Sequence, residues 1–266
     1  MKTVTANGVE IAFRDEGRGT PLLLVHGFPL DHTMWKHQIE GLSSVCRVIA
    51  PDLRGFGRSR AMGAKVTMER LADDLAALVD ALGAGEPIVF CGLSMGGYVA
   101  WEFWKKYRAG VRGLVLCDTR AAADSPEAAA GRRETARRVL AEGPAFLVDA
   151  MVPKLLAPGA SATRPDLIES LSAMIRSANA QGVAAAALGM AERDDASTLL
   201  PRIDCPCLVV VGQYDAISPP DEMRAIAESI PGAQCVTVPD AGHMAPMENP
   251  DQVNAAIAAF LDGLSR

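Results

Sequence analysis

The chain has 266 residues, 49% of them hydrophobic and 22% charged, so neither a shortage of apolar residues nor an excess of charge opposes a folded core. Its formal net charge of -6 excludes reliance on phosphate neutralisation; nucleic acid is not an expected partner, and an acidic surface suits anionic lipid poorly. The length accommodates one large domain with an insertion as readily as two small ones.

From the N-terminus, Val4 to Asp15 with Asn7-Gly8 at its middle predicts an antiparallel hairpin at a sheet edge. The first solid apolar run, Leu22 to Val25, is too short for a signal sequence or a membrane span, and a soluble, cytoplasmic protein with no membrane partner is expected. Similar runs recur at Val45 to Ala50, Pro87 to Cys91, Leu114 to Cys117, Leu208 to Val211 and Cys235 to Val238. Continuous apolar runs of this length are what strands buried on both faces of a mainly parallel sheet require. Between them, Met68, Leu71, Ala72, Leu75, Leu78, Val79 and Leu82 repeat at helical spacing, and Asn249-Pro250 starts a last helix through Phe260. Alternating strand and helix gives an α/β class with helices on both faces of a mostly parallel central sheet.

The strand rhythm stops from Thr119 to Ala196, where alanine-rich helical patterns are broken by Pro144, Pro153, Pro158 and Pro165. A helical insertion over 119–196 between core segments 1–118 and 197–266 of a single domain is expected. The insertion holds no His, Tyr, Trp or Cys, so any general acid or base in it would be Asp, Glu or Lys. Its Met151, Leu155, Leu156, Met174, Ile175 and Met190 read as packing residues, with the lining of an apolar pocket as the alternative for some of them, and Arg132-Arg133-Glu134 with Arg137-Arg138 as a solvated helix face. The six cysteines lie mostly within or beside apolar runs and do not form a disulfide framework. Cys205-Pro-Cys207 has no second pair to complete a zinc site, so no metal is expected.

Gly92-Leu93-Ser94-Met95-Gly96, followed by Gly97, comes directly after the run Pro87 to Cys91 and before the helical stretch Tyr98 to Tyr107. A serine held on a sharp strand-to-helix turn needs neighbours without Cβ atoms, and the turn lifts its hydroxyl to a helix N-terminus that favours developing anions. Such a serine needs a base. His243, on the loop Asp240-Ala241-Gly242-His243-Met244 between the last strand and the last helix, is flanked by small residues. His26 in His26-Gly27-Phe28-Pro29 reads as a brace for its loop, while His32 and His37 read as solvent-facing or at a pocket edge. The imidazole needs a carboxylate to fix its tautomer: Asp215 after the run Leu208 to Val211 is favoured, and Asp118 after Leu114 to Cys117 is its rival.

The order Ser94, Asp215, His243, the serine turn, and the His26-Gly27-Phe28-Pro29 and Asp52-Leu53-Arg54-Gly55-Phe56-Gly57-Arg58-Ser59 segments make the chain resemble the α/β-hydrolase fold family from about Val9 to Phe260. The resemblance is to its cofactor-free serine esterases and lactonases with a helical cap. It implies an oxyanion hole from the backbone N–H groups of Phe28 and Met95, no cofactor, a small-molecule ester as partner, and hydrolysis through an acyl-enzyme. Family members that open epoxides or displace halide use an aspartate nucleophile, and Ser94 argues against them. Met244 after His243, where carbon–carbon bond hydrolases often carry tryptophan, lowers that reading too. The stretch Cys91 to Gly97 is similar to enol-lactonases, whose charged substrate would need some of the cap's basic residues, including Arg132, Arg133, Arg137, Arg138, Lys154, Arg164 and Arg176. Pro29 after Phe28 resembles perhydrolases, as a side activity. Outside enzymes, a non-catalytic receptor of the same fold is the alternative.

Overall fold

A computed structural model describes residues 1–61, 63–84 and 87–264; residues 62, 85, 86, 265 and 266, which belong to the two expected core segments, lie outside the described residues. The expected hairpin forms from β1 (Lys2–Ala6) and β2 (Val9–Glu16), with Asn7 and Gly8 both at positive φ in the two-residue turn. The remaining strands are β3 (Pro21–Val25), β4 (Arg47–Pro51), β5 (Ile88–Leu93), β6 (Val111–Cys117), β7 (Cys207–Gly212) and β8 (Gln234–Val238). Among the described residues they make one sheet in the order β1-β2-β4-β3-β5-β6-β7-β8. Only the β1–β2 and β2–β4 pairs are antiparallel. Every residue of β3, β5 and β7 is buried, and because alternate side chains point to opposite faces, both faces of the sheet are covered.

The covering helices are α1 (Lys36–Leu42), α2 (Met68–Ala81), α3 (Met95–Tyr107), α9 (Pro220–Ser229), the short α10 (Ala245–Glu248) and α11 (Pro250–Leu264). Thr67 caps α2 by accepting the Arg70 N–H, and Met68, Leu71, Ala72, Leu75 and Leu78 form its buried stripe. No described helix is long and apolar enough to cross a membrane. Between β6 and β7 run α4 (Pro126–Glu142), α5 (Phe146–Leu155), α6 (Ala160–Thr163), α7 (Pro165–Ser177) and α8 (Ala180–Met190). This helical segment is seated on the sheet's loops by backbone contact. A Cβ on Gly182 would lie 1.8 Å from the Gly55 carbonyl oxygen and one on Gly189 1.8 Å from that of Val66, while Val66 donates its N–H to the Ala185 carbonyl.

Two expectations need correction and one is narrowed. The run Cys235 to Val238 is a sheet-edge strand and not a doubly buried one: Gln234, Cys235 and Thr237 are exposed, so the Cys235 thiol is not core filler. Val45 is exposed and β4 begins at Arg47. Of the two readings for His32 the structure takes the second: it is largely buried at the edge of a surface pocket with Thr33 and Asp52, its Nδ1 2.6 Å from Asp52 Oδ1.

Candidate active site

The carboxyl ends of the parallel strands β3, β5, β6, β7 and β8 lie along one edge of the sheet, and each carries part of the site. Ser94 follows β5 with φ 53 and ψ -111, a strained conformation for a residue with a Cβ. The glycines around it are steric necessities. A Cβ on Gly92 would stand 2.3 Å from the Gly96 carbonyl oxygen, one on Gly96 2.3 Å from that of Val25, and one on Gly97 2.3 Å from Thr119 Oγ1. The turn is tied to β6: Ser94 donates its N–H to the Cys117 carbonyl and accepts the Thr119 hydroxyl at its own carbonyl, 2.8 Å away. Ser94 and Phe28 are half-buried, Met95 buried.

His243, on the loop after β8, and Asp215, on the loop after β7, are both buried, and Nδ1 of the first lies 2.8 Å from Oδ2 of the second. The other Asp215 oxygen, Oδ1, accepts the backbone N–H groups of Ile217 at 2.7 Å and Ser218 at 3.0 Å. A carboxylate held this way makes His243 Nδ1 the protonated nitrogen and leaves Nε2 as the basic one. Of the two rival acids, Asp215 therefore carries the imidazole bond. Asp118 lies close by, its Oδ1 accepting the Gly212 N–H at 2.8 Å.

Of the other histidines, His37 is exposed and two are tied into the scaffold. His26 is fully buried, accepting the Leu53 N–H at Nε2 (3.0 Å) and donating Nδ1–H to the Gly27 carbonyl (2.9 Å). Burial holds its imidazole below the usual pKa. The Phe56 ring meets His26 and Phe28 edge-on, bracing the loop that carries the Phe28 N–H. The Asp52–Ser59 segment is scaffold too. Burial pushes Asp52 up, but hydrogen bonds from the His32 side chain and the backbone N–H groups of Arg58 and His32 outweigh it and hold the carboxyl below its usual range. Arg54 forms a buried ion pair with Asp74.

Among the described residues, two groups bring three ligand-type side chains together, Asp31/His32/Asp52 and Asp118/Asp215/His243. In the second, one Asp215 oxygen already accepts two N–H groups and the other faces the His243 nitrogen, so the donor set fits a hydrogen-bonded network better than a cation cage.

Glu248 is a participant that sequence reasoning missed. Its Oε1 accepts the N–H of Gly242, one residue before His243, and its Oε2 that of Ala157 in the helical segment, each at 2.7 Å. Burial raises its carboxyl above the ordinary glutamate value despite these bonds. Met244 donates its N–H to the Leu155 carbonyl, so the histidine loop and the 155–157 stretch are stitched together. No motif spacing announces this residue. Nearby, Phe28 packs against Ala136, Ala184 and Ala187 of α4 and α8.

Four of the basic residues singled out in the helical segment are paired with carboxylates. Arg132 pairs with Asp124, Arg137 with Glu134, Arg138 with Glu142 and Arg164 with Asp166. Arg133, Lys154 and Arg176 are exposed.

Among solved structures, the chain is similar to a thermophilic esterase from Thermogutta terrifontis with malate bound (54% identity, 99% of this chain and 98% of that one, TM-score 0.96). It is also similar to the enol-lactonase of Burkholderia xenovorans LB400 (29% identity, 98% and 100% covered, TM-score 0.91). A curated relative, 3-oxoadipate enol-lactonase 2 of Acinetobacter baylyi, is 26% identical over 97% of this chain and 96% of its own. The family model for the alpha/beta hydrolase fold matches residues 20–250, and with the strand order and the serine turn this gives the conclusion that the chain belongs to the alpha/beta hydrolase fold family.

Proposed function

We propose that the protein is a carboxylic ester hydrolase working through an acyl-enzyme, with a small-molecule ester as its partner and the cytoplasm as its setting. The observation that carries the proposal is the buried 2.8 Å contact of His243 Nδ1 with Asp215, set at the same sheet edge as the strained Ser94. Ser94 Oγ attacks the ester carbonyl while His243 Nε2 takes its proton, and Asp215 stabilises the imidazolium without accepting the proton itself. The tetrahedral oxyanion is met by the N–H groups of Met95, at the N-terminus of α3, and Phe28. His243 returns the proton to the departing alcohol; water then repeats the sequence on the acyl group. The helical segment serves as a cap, and Ala136, Ala184 and Ala187 pack against Phe28 where it meets the proposed oxyanion loop.

An acyclic or aryl ester is favoured over a charged enol-lactone because, of the seven basic residues named in the cap, four are committed to carboxylates and Arg133, Lys154 and Arg176 lie on the exposed surface. The likeness to the two enol-lactonases keeps lactone hydrolysis as the second reading, and peroxide could replace water as acceptor in a side reaction. The experiment is turnover of p-nitrophenyl esters of increasing chain length, aryl acetates and lactones by wild type and Ser94→Ala. Serine-dependent turnover of esters is expected. Turnover confined to lactones would replace the first reading with the second, and ligand binding without any turnover would indicate a receptor.

A further inference from the structure

We propose that Asp118 is a positioning residue, donating a hydrogen bond from its carboxyl group to Asp215 and so fixing the acid that orients His243. The inference rests on the assignment of His243 and Asp215 above. Asp118 ends β6 at a positive φ of 45 and is fully buried. Its N–H goes to the Val210 carbonyl and its Oδ1 takes the Gly212 N–H, so it joins the ends of β6 and β7. These bonds account for one carboxyl oxygen. The other, Oδ2, is buried and meets no hydrogen-bond donor among the described residues, while atoms of Asp118, Asp215 and His243 lie within 4.8 Å of one another.

Two carboxylates this close in a dry site do not both ionise; one keeps a proton, which the pair shares as a hydrogen bond. The structure decides which. Asp215 accepts two backbone N–H groups and the imidazole N–H, whereas Asp118 accepts one N–H. The charge therefore settles on Asp215 and the proton on Asp118, whose Oδ2 then has a use. Burial first, then the Asp215 charge, push the Asp118 carboxyl well above its usual range, and the neighbouring Cys117 thiol is raised as well. A buried acceptor carboxylate is thereby held by a second side chain, which prevents its rotation away from the imidazole as positive charge develops there.

Infrared spectroscopy of the whole protein at neutral pH tests the protonation directly: the C=O stretch of a protonated carboxylic acid is expected in wild type and in Ser94→Ala, and is expected to disappear in Asp118→Asn. Kinetics test the positioning. Asp118→Ala is expected to lower kcat by about 10- to 100-fold, the worth of one hydrogen bond to a charged group, with KM little changed. Asp118→Asn, whose amide keeps an acceptor for Gly212 and a donor for Asp215, is expected to recover most of that loss. Absence of the protonated band in wild type overturns the proposal, as does an Asp118→Asn defect as deep as that of Asp215→Asn. If Asp118→Ala fails to fold, the band and the asparagine variant still decide. Ester turnover that survives in Ser94→Ala would instead refute the underlying serine assignment, and the infrared result would stand apart from it.

Discussion

Gly96→Ala offers the most direct test of how tightly the serine turn is fitted to the proposed oxyanion loop. The new Cβ would lie 2.3 Å from the Val25 carbonyl oxygen, 2.9 Å from its carbon and 3.2 Å from the His26 carbonyl oxygen. Ordinary carbon-to-oxygen approach is about 3.3 Å or more, so α3 and the end of β3 must separate by roughly 1 Å. Val25 cannot yield alone, because β3 is hydrogen-bonded between β4 and β5 and Val25 is in register with Gly92. The opening falls between Met95, next to the substitution, and Phe28, three residues beyond Val25. A misplacement of about 1 Å at a reacting centre costs on the order of 100-fold in rate, and overpacking costs about 1–3 kcal/mol of stability. The assay is kcat and KM on a short p-nitrophenyl ester, with urea unfolding alongside. A kcat equal to wild type together with an unchanged unfolding midpoint would refute the reasoning.

Three further outcomes are expected. Gly131→Ala, at an exposed position within α4 where a Cβ meets nothing, should stabilise the protein by about 0.5–1 kcal/mol without altering turnover, and an unchanged or lowered midpoint would count against it. Glu248→Ala removes the acceptor shared by Gly242 and Ala157; a loss of about 1–3 kcal/mol in urea unfolding and a lower kcat are expected, while wild-type values of both would show that the bridge is idle. Asp118 has its folded-state pKa raised by burial, so its protonated form contributes stability fully below the unfolded carboxyl value of about 3.9, and that contribution is lost as pH rises toward the folded value. Wild type should therefore lose stability relative to Asp118→Asn by about 1.4 kcal/mol per pH unit across that window, and parallel stability curves for the two proteins would contradict this.

Much of the fold is legible in the sequence because the interior strands must be apolar throughout and α2 must repeat at helical spacing. The same criterion fails at β8, where Cys235, Val236 and Val238 make an apolar run although the strand closes the sheet edge: a run reports affinity for a strand, not the number of its neighbours. The serine turn is legible for a stronger reason, since Gly92, Gly96 and Gly97 answer to backbone and side-chain atoms within a few ångströms, so the steric requirement is written locally. His32 shows the opposite case. Its burial depends on Asp52, twenty residues away, and nothing near His32 in the chain signals it. Asp118 and Glu248 are further examples, because each acts through loops that meet only once the sheet has formed. The direction of the cap arginines was equally out of reach, as it is set by carboxylates such as Asp124 for Arg132.

The contacts of Gly182 with Gly55 and of Gly189 with Val66 set one contact zone of the helical segment apart from another. α8 is docked by main-chain atoms at positions that admit no side chain, whereas its Ala184 and Ala187, with Ala136 on α4, face Phe28. Those alanines are buried against Phe28, so enlarging any of them would press on Phe28 and on the packing of α4 against α8. A single substitution in this layer would thus be felt by the proposed oxyanion loop from the far side, without altering the serine turn.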